Sequence, residues 1–299
     1  MKNSITNYEN TFYFNGAALS GVLSVDGSYS LNYEPLNVVG KGFLKQMINS
    51  VPTASMSLSR YLTSEDPVLN STGSFSVANK VNAGLYYKNK YFAFEDGYLS
   101  SLGLSCSVGE IPTIETSFDV YGDIGPNFNP SGQKYGGSVF VPQTKNILLT
   151  TRNSQTNRIV SFNVDYNMPK NPIYGFGRRT GNEVPIEVHN VFPYEVTCGF
   201  TMEIDDYKSK SVFDDLKSKG ESSFSIDIKA SILNDITLDT AEGDQVVTFD
   251  NQGINSQNKG DDPSVFSFSA SDAVIVSEQV SSSSDGVMSV NLTYKTYLN

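Results

Sequence analysis

The sequence has one histidine, no tryptophan and two cysteines in 299 residues. A single His189 excludes multi-histidine metal sites and leaves a Ser-His-Asp site without support. Its expected role is that of a solvent-facing or hydrogen-bonded structural side chain. Two cysteines are too few for a disulfide framework. Cys106 and Cys198 both fall at apolar positions of alternating segments, which predicts buried, reduced thiols. Cations are scarce: 21 Lys and Arg stand against 32 Asp and Glu, a net charge of −11. That balance argues against a site that grips a phosphate backbone, and suits a surface that repels one. No apolar run approaches the length of a membrane span. The opening MKNSITNYENTFYF has no apolar run after its lysine, so no secretory signal is expected. Without one, the glycosylation patterns at Asn70 and Asn291 carry no weight.

What is abundant points to strands. Phe (18) and Tyr (17) are frequent, only 18% of residues are charged, and Ser, Thr, Asn and Gly make up much of the remainder. Residues 92–121 read as two strands around one turn. Tyr98, Leu102, Leu104, Cys106 and Val108 share one parity against mostly polar neighbours. Ile114, Phe118 and Val120 continue it, opposite Glu115, Ser117 and Asp119. Residues 266–297 read the same way, opening on Phe266-Ser-Phe268 as the first stretch opens on Phe92-Ala-Phe94. They close with Met288, Val290, Leu292 and Tyr294 against polar partners.

Other segments also match in order. An alternating strand with Leu23, Val25, Gly27, Tyr29, Leu31 and Tyr33 ends at Pro35; Val160–Tyr166 ends at Pro169. Each is followed by a pair of glycines (Gly40 and Gly42; Gly175 and Gly177). Each connection leads to a strand opened by proline, at Pro52 and at Pro193. Pro193 follows Pro52 by 141 residues and Phe266 follows Phe92 by 174. The difference predicts 33 extra residues in the second half, within 205–262. Two helices are expected. One is short, in TSEDPVLN (63–70), where Ser and Asp precede proline; the other is SKSVFDDLKSKG (209–220). A Gly-, Pro- and Asn-rich hinge at 122–139 places a boundary near 130–145. The expected architecture is mainly β: two tandem copies of a β-sandwich or half-barrel domain, 1–130 and 131–299, with few short helices.

Little in the chain suits catalysis. Glu110, Glu115 and Asp119 are expected to line one wet face rather than act as paired acid and base. GFGRRTG (175–181) lacks the glycine spacing and the strand–helix setting of a dinucleotide site. Arg178 and Arg179 at its tip read equally as a solvated turn or as a contact to an acidic patch of another subunit. No enzyme activity, cofactor or metal is expected.

The order of long strands, the loop after the first long strand, SVGEIPTIETSFDVYG (107–122) and SSSSDGVMSVNLTY (281–294) together resemble the tail tube proteins of long-tailed bacteriophages. The resemblance covers most of 12–121 and 147–297. It implies a virion structural protein that self-assembles into stacked rings conducting viral DNA without specific binding. It implies a variant with two tube folds per chain, closing as a homotrimer of six pseudo-equivalent domains. It implies tape measure and terminator proteins as partners, no membrane, and synthesis in the host cytoplasm. The connections 36–50 and 167–190 are expected to reach other subunits through Phe43, Leu44, Ile173, Phe176, Arg178 and Arg179. The expected lumen-facing set is Glu115, Asp119, Glu195 and Glu203, with Ser55 and Ser57. The extra chain near 233–262 departs from the compact family pattern. Other readings are a different virion part (distal tail, tail-completion or capsid decoration protein) or a carbohydrate-binding β-sandwich adhesin, against which the lack of tryptophan counts.

Overall fold

The structure is a computed structural model. It describes residues 10–30, 33–35, 47–49, 53–64, 66–71, 78–87, 89–122, 124–130, 141–142, 147–151, 159–175, 184–204, 221–229, 236–238, 245–247, 264–282 and 288–298. The described residues are almost entirely β. In chain order the strands of the first half are β1 (Thr11–Phe14), β2 (Ala17–Leu19), β3 (Val22–Ser30), β4 (Tyr33–Pro35), β5 (Met47–Asn49), β6 (Thr53–Tyr61), β7 (Val81–Tyr87), β8 (Lys90–Ser107), β9 (Thr113–Val120) and β10 (Ile124–Gly125). Among the described residues a single short helix, α1 (Pro67–Ser71), follows β6. The second half contributes β11 (Ile147–Thr151), β12 (Ile159–Asn167), β13 (Lys170–Ile173), β14 (Glu187–Asn190), β15 (Tyr194–Glu203), β16 (Glu221–Lys229), β17 (Ile236–Leu238), β18 (Gln245–Val247), β19 (Ser264–Ser281) and β20 (Ser289–Leu298).

Fourteen strands form one antiparallel sheet; β4–β5, β13–β14 and β17–β18 are separate two-stranded hairpins. Within the large sheet, two runs have the same order. One runs β1-β7-β8-β9-β6-β3, the other β11-β16-β19-β20-β15-β12. They meet where β8 pairs with β12, from Ser101↔Asn167 to Ser107↔Ser161. The long strands β8 and β19 change partners along their length, and β8 also pairs with β10 and β12. The first part of β8 pairs with β7 up to Gly97, and the rest with β9. The first part of β19 pairs with β16 up to Val274, and the rest with β20.

Irregularities of pairing fall at corresponding places in the two runs. The β3–β6 register shifts between Val22 and Ser24, and β12–β15 between Ile159 and Ser161. The β8–β9 register shifts between Leu99 and Ser101, and β19–β20 between Ile275 and Ser277. A third pair lies at Val81/Ala83 in β7 and Ser222/Phe224 in β16. A bulge displaces every later side chain by one place, so its position defines register independently of hydrophobicity. Matching the bulges sets Ser277 against Ser101, an offset of 176 residues. On that match Phe92 falls against Phe268, two places from the pairing that the Phe-x-Phe landmarks give. The connections of the two runs differ in length. Two residues join β7 to β8, whereas 230–263, containing β17 and β18, join β16 to β19.

The core follows the same plan in both runs. Eight strands, β3-β6-β9-β8-β12-β15-β20-β19, make a continuous wall. The β1–β7 and β11–β16 ends fold back over one of its faces. Phe94 and Phe14 stack on Phe118 at 5.7 and 5.8 Å, and Phe224 lies 5.4 Å from Tyr294. The bulky partner is exchanged between the two: Phe94 pairs with Ala83, whereas Ala270 pairs with Phe224. Gly97 belongs to this exchange. A Cβ there would run into the Phe94 ring, while at the matching Ala273 the residue in place of Phe94 is Ala270. Cys106 and Cys198 are buried, as their parity predicts.

One buried ionic group anchors β6 to α1. Arg60, fully buried, donates from Nε and Nη2 to the Asp66 carboxylate at 2.7 and 2.9 Å, and from Nη1 to Thr116 Oγ1 at 2.6 Å. Asp66 Oδ1 also accepts from the Val68 and Leu69 amides. That is an N-cap for the short helix expected at TSEDPVLN. The second expected helix, at 209–220, lies outside the described residues.

Three expectations are corrected. Glu110 lies in the turn after β8, not on a strand beside Glu115 and Asp119. Val108 and Met288 are exposed, beyond the strand ends to which their parity assigned them. The apolar parity of β3 is not buried: Leu23 and Tyr29 are 46% and 44% exposed.

Candidate assembly surfaces

The face of the wall opposite the folded-back ends is polar by strand alternation. One row across it reads Ser24, Ser59, Glu115, Gly103, Asp165, Thr197 and Lys295. The next reads Asp26, Ser57, Ser117, Ser101, Asn167, Glu195 and Tyr297. Asp119 and Ser55 lie one row further along, and Glu203 beside Ser289 lies at the far end. The expected set of Glu115, Asp119, Glu195, Glu203, Ser55 and Ser57 thus shares one face, with Asp26 and Asp165 in addition. On these rows the only cation is Lys295, which donates to Glu195 at 2.9 Å. That contact raises the Lys295 pKa. Gly103 has a local reason: a Cβ there would come 2.9 Å from Asp165 Oδ1. The acidic face therefore runs unbroken across the β8–β12 junction.

Lys170, at the base of the β13–β14 hairpin, is half-buried and sits 5.2 Å from the centre of the Tyr194 ring. Burial lowers its pKa to about 8, opposed by the Asp119 charge. Burial raises the Asp119 pKa, offset in part by a Ser100 hydrogen bond and by Lys170. His189 is exposed on β14, with Nε2 3.4 Å from a Glu187 oxygen, in agreement with the solvent-facing reading.

The wall ends on two strands that lack an outer neighbour among the described residues. β3 pairs only with β6, and the Ile275–Ser281 part of β19 only with β20. Side chains register the difference. By the matched bulges, Val25 and Tyr29 of β3 correspond to Phe162 and Tyr166 of β12. Those two are 4% and 5% exposed beneath β8, Phe268 and the rest of their half, whereas Tyr29 is 44% exposed. Natural proteins blunt long free edges because a row of unpaired N–H and C=O groups recruits another strand. Here one edge carries Ser24, Asp26, Ser28 and Ser30, and the other Ser277, Gln279 and Ser281, with no proline in either.

A third surface is the β13–β14 hairpin, which links β12 to β15 as β4–β5 links β3 to β6. Ile173, Tyr174, Ile186, Val191 and Phe192 are each at least 40% exposed there. Apolar groups clustered in this way mark contact surfaces in soluble proteins. Ile173, expected to contact another subunit, is among these exposed residues. Phe43, Leu44, Phe176, Arg178 and Arg179 lie outside the described residues, as does the hinge centre at 131–140. Sequence reading missed Asp26, Asp165 and Glu278. The first two were legible from parity. Glu278 was not, because the bulge after Ile275 reverses the parity of its strand.

Among the described residues no cluster of His, Cys, Asp and Glu could hold a metal ion, and no helix is long and apolar enough to cross a membrane. No protein-family model matches the chain, and no curated protein matches it.

Proposed function

We propose that this chain is a self-assembling subunit of a hollow β-walled tube, of the kind built by the tail tube proteins it resembles in sequence pattern. It comprises two copies of one domain, and its acidic face lines the channel. The observation that carries this reading is the wall itself: strands at matching places are joined in its middle and, among the described residues, lack an outer neighbour at its ends. A repeating unit with two complementary ends either polymerises or closes into a ring. The wall has eight strands, all antiparallel. An even number lets β19 meet β3 of the next chain in the same antiparallel sense. Three chains give 24 strands. At a spacing of about 4.8 Å these enclose a barrel roughly 37 Å across before strand tilt widens it. Barrels of 16–18 strands already leave an aqueous channel.

The acidic face suits that bore. A lumen lined by Asp26, Glu115, Asp119, Asp165, Glu195 and Glu203 repels phosphate, so DNA slides without binding. The folded-back sheets lie outside the barrel, and the apolar β13–β14 hairpin is placed to meet a stacked ring. On this reading the chain works in a phage tail, beside tape measure and terminator proteins. Negative-stain microscopy of the purified protein tests it: hollow rings or tubes are expected, and a monodisperse monomer at tens of micromolar would overturn it. Reversing Glu115 and Asp165 to lysine tests the lumen assignment. Tubes should still form, but they should retain added duplex DNA at low salt, and release it as salt rises.

A further inference from the structure

We infer that the free edge of β19 receives β3 of a second copy in the register that β8 and β12 keep within one chain, with Glu278 accepting a hydrogen bond from the incoming Tyr29. The inference rests on the ring reading above and adds its register and its buried contact. The bulges supply the register. Ser277 stands where Ser101 stands, and Ser24 where Ser161 stands. The internal junction pairs Leu102 with Tyr166, Gly103 with Asp165 and Ser105 with Asn163. Transferred to the open ends, these become Glu278 with Tyr29, Gln279 with Ser28, and Ser281 with Asp26.

An independent observation falls on the same spot. Glu278 is 5% exposed, and neither carboxylate oxygen has a hydrogen-bond partner among the described residues. An unpaired buried acid is costly, and the internal junction has leucine in its place. The core-facing side chains of β3 beyond its bulge are Val25, Gly27 and Tyr29, so the Tyr29 hydroxyl is the one side-chain donor that the incoming strand can bring. The two junctions thus differ by design. The internal one is closed by Leu102 against Tyr166, while the one between chains is completed only when a second copy arrives.

Paired cysteines test the register. Gln279→Cys with Ser28→Cys should join chains under mild oxidation into a ladder ending at the ring size. Gln279→Cys with Ser24→Cys, four residues away along β3, should not. Cys106 and Cys198 are buried and leave the readout clean. Rings by microscopy without 279–28 crosslinks would overturn the register and leave the ring reading intact. Monomers throughout would overturn both. The contact is tested by a cycle. Tyr29→Phe should raise the critical concentration for assembly about tenfold, because it strands a buried acid. In a Glu278→Leu background the same change should have less than about a twofold effect. Equal effects in both backgrounds would show that Tyr29 acts through its ring alone and would refute the Glu278 contact.

Discussion

Replacing Arg60 with methionine tests how the first half of the wall is held. Methionine is the residue at the matching place of the second run, Met202, whose strand partner is Val290 as that of Arg60 is Ile114. The change is therefore compatible with the wall's shape, and its cost isolates the ion group. It removes hydrogen bonds of 2.7, 2.9 and 2.6 Å. The Asp66 carboxylate is left 3% exposed with only the Val68 and Leu69 amides. Stripping one partner from a buried pair costs about 3–5 kcal/mol, because the remaining charge is uncompensated. Combining Arg60→Met with Asp66→Asn removes that charge and keeps an oxygen to cap α1, so about half of the loss should return. The assay is urea unfolding followed by circular dichroism and tyrosine emission, at low protein concentration. The midpoint should fall while the slope stays constant. A single-variant loss under about 1 kcal/mol, or no recovery in the double variant, would refute the argument that the buried charge dominates.

Gly97→Ala should destabilise by about 1–3 kcal/mol in the same assay, since its Cβ meets the Phe94 ring at the strand that turns from wall to cover; a neutral result would mean the ring moves aside freely. Lys170 gives a pH signature. Its folded pKa of about 8 lies below the ordinary 10.5, so the unfolded chain holds the extra proton between those values and stability gained from this residue rises with pH across that window. Lys170→Met should remove that rise and add about 1 kcal/mol at pH 7, allowing for the screening of a half-exposed ammonium. Parallel pH profiles for the two proteins would contradict it.

Alternation alone determined much of the architecture. A side-chain period of two needs no tertiary information, so β6, β9, β12, β15 and β20 were legible, as were the faces of Cys106, Cys198, Glu115, Glu195 and Glu203. The short helix at Pro67 was legible because capping is local. The order of landmarks led to the expectation of two matching halves, and two runs of the sheet do share one strand order, but hydrophobic landmarks could not give a register between them. Phe92 and Phe266 look equivalent, yet the bulges pair Phe92 with Phe268. A bulge is a property of two strands, invisible in either sequence alone. The same limit hid Glu278, whose parity flips at such a bulge. It also made β3 read as a core strand: Tyr29 and Tyr166 have the same local pattern, but burial depends on which strand lies alongside. Only the tertiary structure decided that β8 covers β12 while nothing among the described residues covers β3. That difference is what turns an alternating segment into an open edge.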